Sequence, residues 1–327
     1  MKPILIAECC QNHNGSRDVL QRMIHEAAGA GADYVKIQAL YSADITHRER
    51  FDEGVQAADG TQRSIKRPYA AEVERLATLD LTPDDEAWFV DECQRAGVAP
   101  MITVFTRGAV PRLASLGFEA IKIASYDCAS RPLLRDVREH WKKIFVSTGA
   151  TFDAEIAAAA EELRGVDVTF LHCVTLYPTP LDQLHLRRMN WLRRFSPEVG
   201  YSDHTKVAET ELWASKTALA LGASVVERHF TVLDAGETRD GPVSINPAQL
   251  AELRDFADRP RHERMAVLAK ELPDWEQTLG DATRELSPVE LLNRDYYAGR
   301  VATMIGERAV YNWEDVDLDA AAVAADR

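Results

Sequence analysis

No run in this chain is apolar for long enough to span a bilayer, and the opening MKPILIAECC lacks the charged-then-apolar layout of a secretory leader. A helical membrane anchor is therefore not expected. Positive charge is in deficit: 38 Lys and Arg stand against 52 Asp and Glu, a formal net charge of −14. A diffuse acidic surface argues against nucleic acid or anionic lipid as a partner, and any anionic substrate must be held by a local cluster of cations. Cysteine is scarce and odd in number: Cys9, Cys10, Cys93, Cys128 and Cys173. They lack zinc-type pair spacing, and adjacent Cys9-Cys10 would make a poor disulfide. The expectation is a reducing, cytoplasmic setting with small buried thiols, although Cys9, Cys128 and Cys173 fall at strand ends. No repeat is evident. The stretch ECCQNHNG after the first apolar run is not the glycine-rich fingerprint that an open nucleotide-binding sheet would want.

What is present is an alternation. With 46% hydrophobic residues over 327 positions, the chain can bury one large core. PILIAE (3–8) reads as a buried strand. Ser16 caps the helix that follows, with Leu20, Met23, Ile24, Ala27 and Ala28 on its inner face. ADYVKIQ (32–38) is a second strand. Thr82-Pro83 opens a helix with Asp84, Asp85 and Glu86 in its first turn, and Gly97 closes it. Strands at 99–105, 119–125, 143–149, 168–174, 198–202 and 223–230 follow. Helices are expected at 107–116, 130–140, 151–163 and 183–195, between the last two strands, and after residue 246. Eight strand-helix units in about 260 residues predict a closed (β/α)8 TIM barrel of the α/β class, with an open doubly wound sheet as the alternative.

In such a barrel the chemistry gathers at the C-terminal strand ends. Those ends read Glu8, Lys36 with Gln38, Thr103, Lys122 with Ser125 and Asp127, Ser147, His172 followed by Tyr177, Ser202-Asp203-His204, and Glu227-Arg228-His229. Two ammonium groups with several hydroxyls suit a phosphate and a carboxylate on one small molecule. His204 and His229 can reach one divalent metal and leave positions open for water and substrate, though structural or acid-base histidines are as common.

The motifs IAECCQNHNGS, ADYVKIQ, IKIAS, FVSTGA, LHCVTLYPTP, YSDHT and GASVVERHF, in that order between residues 3 and about 257, resemble the N-acetylneuraminate (sialic acid) synthase family, which includes legionaminic and pseudaminic acid synthases. The resemblance implies a metal-dependent, cytoplasmic, homodimeric enzyme. It would condense phosphoenolpyruvate with an aldose or aldose-phosphate to give a 2-keto-3-deoxy sugar acid and phosphate. By that resemblance Lys36, Thr103, Lys122, Ser125, Ser147 and Ser202 match phosphoenolpyruvate contacts, and His204 and His229 match ligands of a divalent metal. That metal is expected to be Mn2+, with Mg2+ and Co2+ as the other candidates. Glu8, Gln38 and Tyr177 match positions that face the sugar. Glu8, Lys36, Lys122, His204 and His229 are the candidate catalytic residues.

The sequence departs from the family pattern on the sugar side. Ser125-Tyr126-Asp127 replaces Ser-Gly-Glu, Thr175 replaces an asparagine, and Val243 replaces an aspartate for which nearby Asp240 is the candidate stand-in. An acceptor other than N-acetylmannosamine is expected. Residues 1–257 read as the synthase barrel, with 41–80 as a rim insertion and candidate lid. Arg48, Arg50, Arg63 and Arg67 there are candidate replacements for an arginine that the family's C-terminal antifreeze-like domain donates across subunits. Residues 258–327 read as a helical arm and truncated linker without that domain, and 292–318, from this chain or a partner subunit, is the second candidate cover. Two other classes stay open: a Schiff-base aldolase using Lys36 or Lys122, and a non-catalytic barrel serving as a partner subunit.

Overall fold

The computed structural model describes residues 2–325. Eight parallel strands close into one barrel, each paired with its neighbours in chain order and the last with the first. They are β1 (Ile4–Glu8), β2 (Tyr34–Ala39), β3 (Ala99–Val104), β4 (Ala120–Ile123), β5 (Lys143–Ser147), β6 (Asp167–His172), β7 (Val199–Asp203) and β8 (Val225–His229). The closed barrel excludes the open-sheet alternative. Among the described residues no helix is long and apolar enough to cross a membrane.

Local signals act where the sequence places them. The Ser16 hydroxyl accepts from Val19 N to start helix Arg17–Gly29, and Leu20, Met23, Ile24 and Ala27 bury its inner stripe. Ala28 is only half-buried. Thr82 and Asp85 form a reciprocal cap ahead of Pro83, and Gly97, at φ 73°, ends that helix in the left-handed region.

Two expected helices are cut short. The one expected over 183–195 reduces to a 3-10 turn at Leu181–Gln183 and a helix at Arg188–Leu192. The Leu186 and Arg187 N–H groups donate instead to Thr278 O and Leu279 O, each at 3.0 Å, so a distant segment takes the bonds a helix would need. The helix between β7 and β8 breaks at Glu211, whose φ is 49°, into Val207–Thr210 and Trp213–Ala220.

Strand alternation divides the barrel interior into a floor and a mouth. Ile6, Met101, Ala120, Phe145, Leu171 and Val225 form the apolar floor, with Ile4 and Tyr34 packed against it. Tyr34 and Phe145 meet edge to face at 5.8 Å. One layer higher on the same inward faces stand Glu8, Lys36, Thr103, Lys122, Ser147, Ser202 and Glu227, all buried. The larger apolar core lies outside, between strands and helices.

The 41–80 insertion is ordered. It holds 3-10 turns at Ser42–Asp44 and Glu49–Phe51, a hairpin of Val55–Gln56 with Gln62–Ser64, and helix Tyr69–Ala77. Helix Arg261–Glu271 lies back on the barrel, Arg261 donating to Ala220 O at 3.1 Å. Helix Pro288–Tyr297 then crosses the mouth of its own barrel. Asn293 donates to Thr175 O at 2.8 Å, Arg294 donates to Ala150 O at 2.7 Å, and Tyr297 stacks on Tyr126 at 4.8 Å. This segment covers the mouth of the chain it belongs to.

Gly200 fixes how tightly β7 fits the floor. A Cβ there would lie 2.3 Å from Leu171 Cδ2 and 2.7 Å from the Val225 carbonyl oxygen. The carbonyl belongs to the neighbouring strand and cannot rotate away. Gly200→Ala is expected to lower unfolding stability by about 1–3 kcal/mol, the range for overpacking a tight core, read as a shift in the urea midpoint at unchanged slope.

Candidate active site

Strand register brings the mouth residues into one ring. Glu8 sits opposite both Lys36 on β2 and His229 on β8, Thr103 opposite Lys122, and Ser202 opposite Glu227. Lys36 Nζ contacts the Glu8 carboxylate and donates to Thr103 Oγ1 at 2.6 Å. Lys122 Nζ donates to Glu227 Oε1 at 3.3 Å, and Lys36 Nζ lies 3.8 Å from Glu227 Oε2. Ser202 Oγ donates to the same Glu227 Oε1 at 2.8 Å. Two buried cations thus share two buried carboxylates, and removing any one leaves an uncompensated charge in a low dielectric.

These contacts set the protonation states. Burial drives the Lys36 ammonium down to about 7, with Glu227 opposing the fall and Lys122 adding to it. Burial pushes Glu227 upward, but Lys122, Lys36 and the Ser202 hydroxyl outweigh it and hold the carboxyl at about 2. Burial, reinforced by His229, drives His204 well below its usual range. Burial also lowers His229, against the pull of Asp240 and Glu227. Both imidazoles are neutral at neutral pH and keep a lone pair for a cation.

The remaining predicted residues fall at varied depths. Ser147 Oγ is buried with no hydrogen-bond partner. Ser125 Oγ accepts from Gly149 N at 3.1 Å, which places it beside the same opening. Gln38 is half-buried at the end of β2. Asp127 is tied to the C-terminal segment: Asn312 Nδ2 donates to it at 2.8 Å and Ser130 Oγ at 3.2 Å, while burial raises it to about 6. His172 is held away from the mouth by Leu184 O at 2.6 Å.

The two histidine rings lie 5.4 Å apart. His204 is engaged on both sides, by Tyr177 Oη at 3.0 Å from Nε2 and by Cys173 Sγ at 3.6 Å from Nδ1. His229 is different: its buried Nδ1 has no partner. Its ring, the Cys10 thiol and the Asp240 carboxylate place one ligand atom each within 4.8 Å of one another. An orphaned imidazole nitrogen beside a carboxylate and a thiol fits a divalent cation.

Two residues of the barrel mouth, Glu227 and Cys10, were not among the sequence candidates. Glu227 was visible as a strand end, and its spacing of two from His229 puts both on the inward face, which is the signal that could have found it. Cys10 lies inside the IAECCQNHNGS motif, but nothing local singles it out. The arginines expected to serve the site do not reach it. Arg48 donates to Asp295 O at 3.0 Å and to Tyr296 O, Arg50 pairs with Asp295 at 2.6 Å, and Arg63 and Arg67 lie on the surface. Arg48 and Arg50 instead hold the C-terminal segment. In their place Arg75, Arg239 and Arg300 converge on Glu72, and Arg75 also donates to Gln11 Oε1 at 2.7 Å, next to Cys10.

Glu227→Gln should leave Lys36 and Lys122 under-compensated and lower stability at neutral pH by about 3–5 kcal/mol, the range for breaking a buried pair. In the wild type the carboxylate's contribution is complete above the unfolded value of about 4.3 and disappears as pH falls through about 2. Urea midpoints measured from neutral to acid pH should therefore converge for the two proteins.

Residues 23–262 match the NeuB family. The chain is 29% identical over 302 residues to the N,N'-diacetyllegionaminic acid synthase of Campylobacter jejuni, an alignment covering 89% of this chain and 82% of that protein. It is 27% identical over 299 residues to the pseudaminic acid synthase of the same species, covering 90% and 79%. The N-acetylneuraminic acid synthetase of Leptospira borgpetersenii, solved in complex with citrate, superposes with a TM-score of 0.68 at 25% identity, covering 90% of this chain and 91% of that one. The family match runs from the first helix past the eighth strand and so takes in both lysines, both histidines and Glu227; on that extent the chain belongs to the NeuB family.

Proposed function

We propose that this chain condenses phosphoenolpyruvate with an aldehyde sugar to give a 2-keto-3-deoxy sugar acid and phosphate. The observation that carries the reading is the pair of buried ammonium groups, Lys36 and Lys122, facing the unpartnered Ser147 hydroxyl at the barrel mouth. Phosphoenolpyruvate bears a carboxylate and a phosphate on one carbon, and two cations with flanking hydroxyls match that pattern. Names of relatives that make sialic, legionaminic and pseudaminic acids support the same chemistry.

C3 of phosphoenolpyruvate attacks the aldehyde carbon, water adds at C2, and the C2–O bond to phosphate breaks. One proton of the adding water goes to the alkoxide formed at the former aldehyde carbon, and the other leaves with phosphate as C2 becomes the ketone. Lys36, Lys122, Thr103 and Ser202 hold the anionic groups, while Glu8 and Glu227 face the positive charge that develops at C2. Glu8, between Lys36 and His229, is placed to orient the sugar or move the proton. His204 and His229 would hold a divalent ion, Mn2+ on the sequence reading, which when bound supplies polarisation of the aldehyde oxygen. The Asp127 carboxylate is engaged by Asn312, which supports an acceptor other than N-acetylmannosamine. The working unit is taken to be a cytoplasmic homodimer; five buried free thiols suit that compartment, and sedimentation gives the subunit number.

A lysine held near neutrality also suits a Schiff-base aldolase. Borohydride in the presence of pyruvate separates the two readings, since a trapped adduct on Lys36 would favour the aldolase.

The direct test incubates the protein with phosphoenolpyruvate, Mn2+ and a panel of aldoses and follows phosphate. Release is expected only with an aldose, and chelator should abolish it; full activity in chelator overturns the metal's role, and efficient use of N-acetylmannosamine overturns the altered acceptor. Lys122→Ala should cost about 2–5 kcal/mol in phosphoenolpyruvate binding, the range for truncating one side of a buried charge contact, and calorimetry measures it. Because free Lys36 titrates at about 7 and a bound anion favours its charged form, affinity should be complete below that value and weaken as pH rises through it. Lys36→Arg, always charged, should flatten that slope.

A further inference from the structure

Cys10 stands at the edge of the mouth beside His229 and Asp240, in a strained backbone conformation. Its φ is 45°, in the left-handed region that side chains with a Cβ avoid, at about 1–2 kcal/mol relative to right-handed backbone. Glu8 Oε1 accepts from Cys10 N at 2.6 Å and holds the residue in that turn. The result is a thiol directed at the site: Sγ lies 3.0 Å from Asp240 Oδ2. The Cys10, Asp240 and His229 ligand atoms all lie within 4.8 Å of one another. Cys10 and His229 are buried, and His229 Nδ1 has no other partner. Asp240 follows β8 on a short turn whose backbone is pinned, since Ser244 Oγ donates to Asp240 O at 2.7 Å and Asn12 donates to Ser244 Oγ at 2.9 Å. The three donors are thus carried by the turn that follows β1, by β8, and by a braced turn.

We propose that Cys10, His229 and Asp240 form a thiolate-containing divalent-metal site, and that this donor set selects zinc, cobalt or ferrous iron over Mn2+ and Mg2+. The proposal rests on the condensation reading for the metal's use, but it changes the metal's identity. One sulfur, one nitrogen and one oxygen are a borderline-soft set, whereas Mn2+ and Mg2+ favour oxygen and water. On binding, the thiol proton leaves to solvent and the sulfur bonds the cation as thiolate. His204, whose ring lies 5.4 Å from that of His229, borders the site and stays available as the further ligand of the condensation reading once the Tyr177 hydroxyl on its Nε2 gives way.

The test uses the full-length protein, freed of metal by chelator and titrated with Co2+. Wild type should develop both the visible ligand-field bands of bound cobalt and a near-ultraviolet sulfur-to-cobalt charge-transfer band. Cys10→Ser should lose the charge-transfer band and bind Zn2+ at least about tenfold more weakly, the scale on which even outer partners of a ligand act, while its Mn2+ affinity changes little. Cys10→Gly, which relieves the positive φ, guards against a folding defect and should behave like Cys10→Ser. Ligand-field bands without the charge-transfer band in wild type overturn the thiolate and leave the condensation reading intact. No cobalt bands at all overturn the site. A charge-transfer band together with no binding of phosphoenolpyruvate by calorimetry supports the site and instead overturns the proposed reaction.

Discussion

Two ammonium groups and two carboxylates buried inside the barrel govern much of what surrounds them. Lys36 and Lys122 are nearly inaccessible, at 2% and 3%, and so are Glu8 and Glu227, at 2% and 5%. Charges at that depth are tolerated only when each has a partner close by. Glu8 bridges β1 and β2, and Glu227 reaches both lysines from β8, so the set ties together strands that are distant in sequence. The apolar floor beneath it keeps water out from below. The cover above it has to come from somewhere else in the chain.

That cover is built by two segments that hold each other. Phe51 in the insertion meets Tyr296 of the C-terminal helix edge to face at 5.1 Å, and Arg48 stacks over Phe51 at 4.4 Å. Ile45 bridges Val301, and Arg300 joins Glu72 across the same seam. Farther round the rim Arg107 pairs with Asp136 at 2.6 Å and donates to Glu314 O and Val316 O. Arg48 and Arg50 therefore act as fasteners. Positive charge near Cys10 comes from the Glu72-centred group instead.

The outer face of β8 shows how inner residues are kept in line. Arg228 points away from the mouth, is 1% exposed, and pairs with Asp203 while donating to Thr205 O at 2.9 Å. Asp203 in turn accepts from Thr205 N at 2.9 Å and from Ser215 Oγ at 2.5 Å. The chain that leaves β7 with His204 is thereby fixed to the strand that carries His229. Residues that face the core side of the barrel thus set the spacing of the imidazoles on its inner side.

The alternation of strands and helices, the caps at Ser16 and Thr82, and the period-two placement of Lys36, Lys122, Ser202 and His229 were legible because they are local. Each depends on residues a few positions apart, and backbone sterics convert that spacing into direction. Glu227 lay within reach of the same rule. The shortening of the helix after β6 was not legible, because Thr278 and Leu279 took its hydrogen bonds from about ninety positions away. Nor was the role of Arg48, which depends on a helix nearly 250 residues later. Cys10 beside Asp240 belongs to the same class: the two are 230 positions apart, and only closure of β1 against β8 brings a strained turn and a braced turn to one point. The sequence by itself determined the barrel and which side chains face inward, since both follow from local period. Which of them touch, and which charges are spent on the cover, was decided by the tertiary structure, because those contacts exist only after the chain has closed on itself.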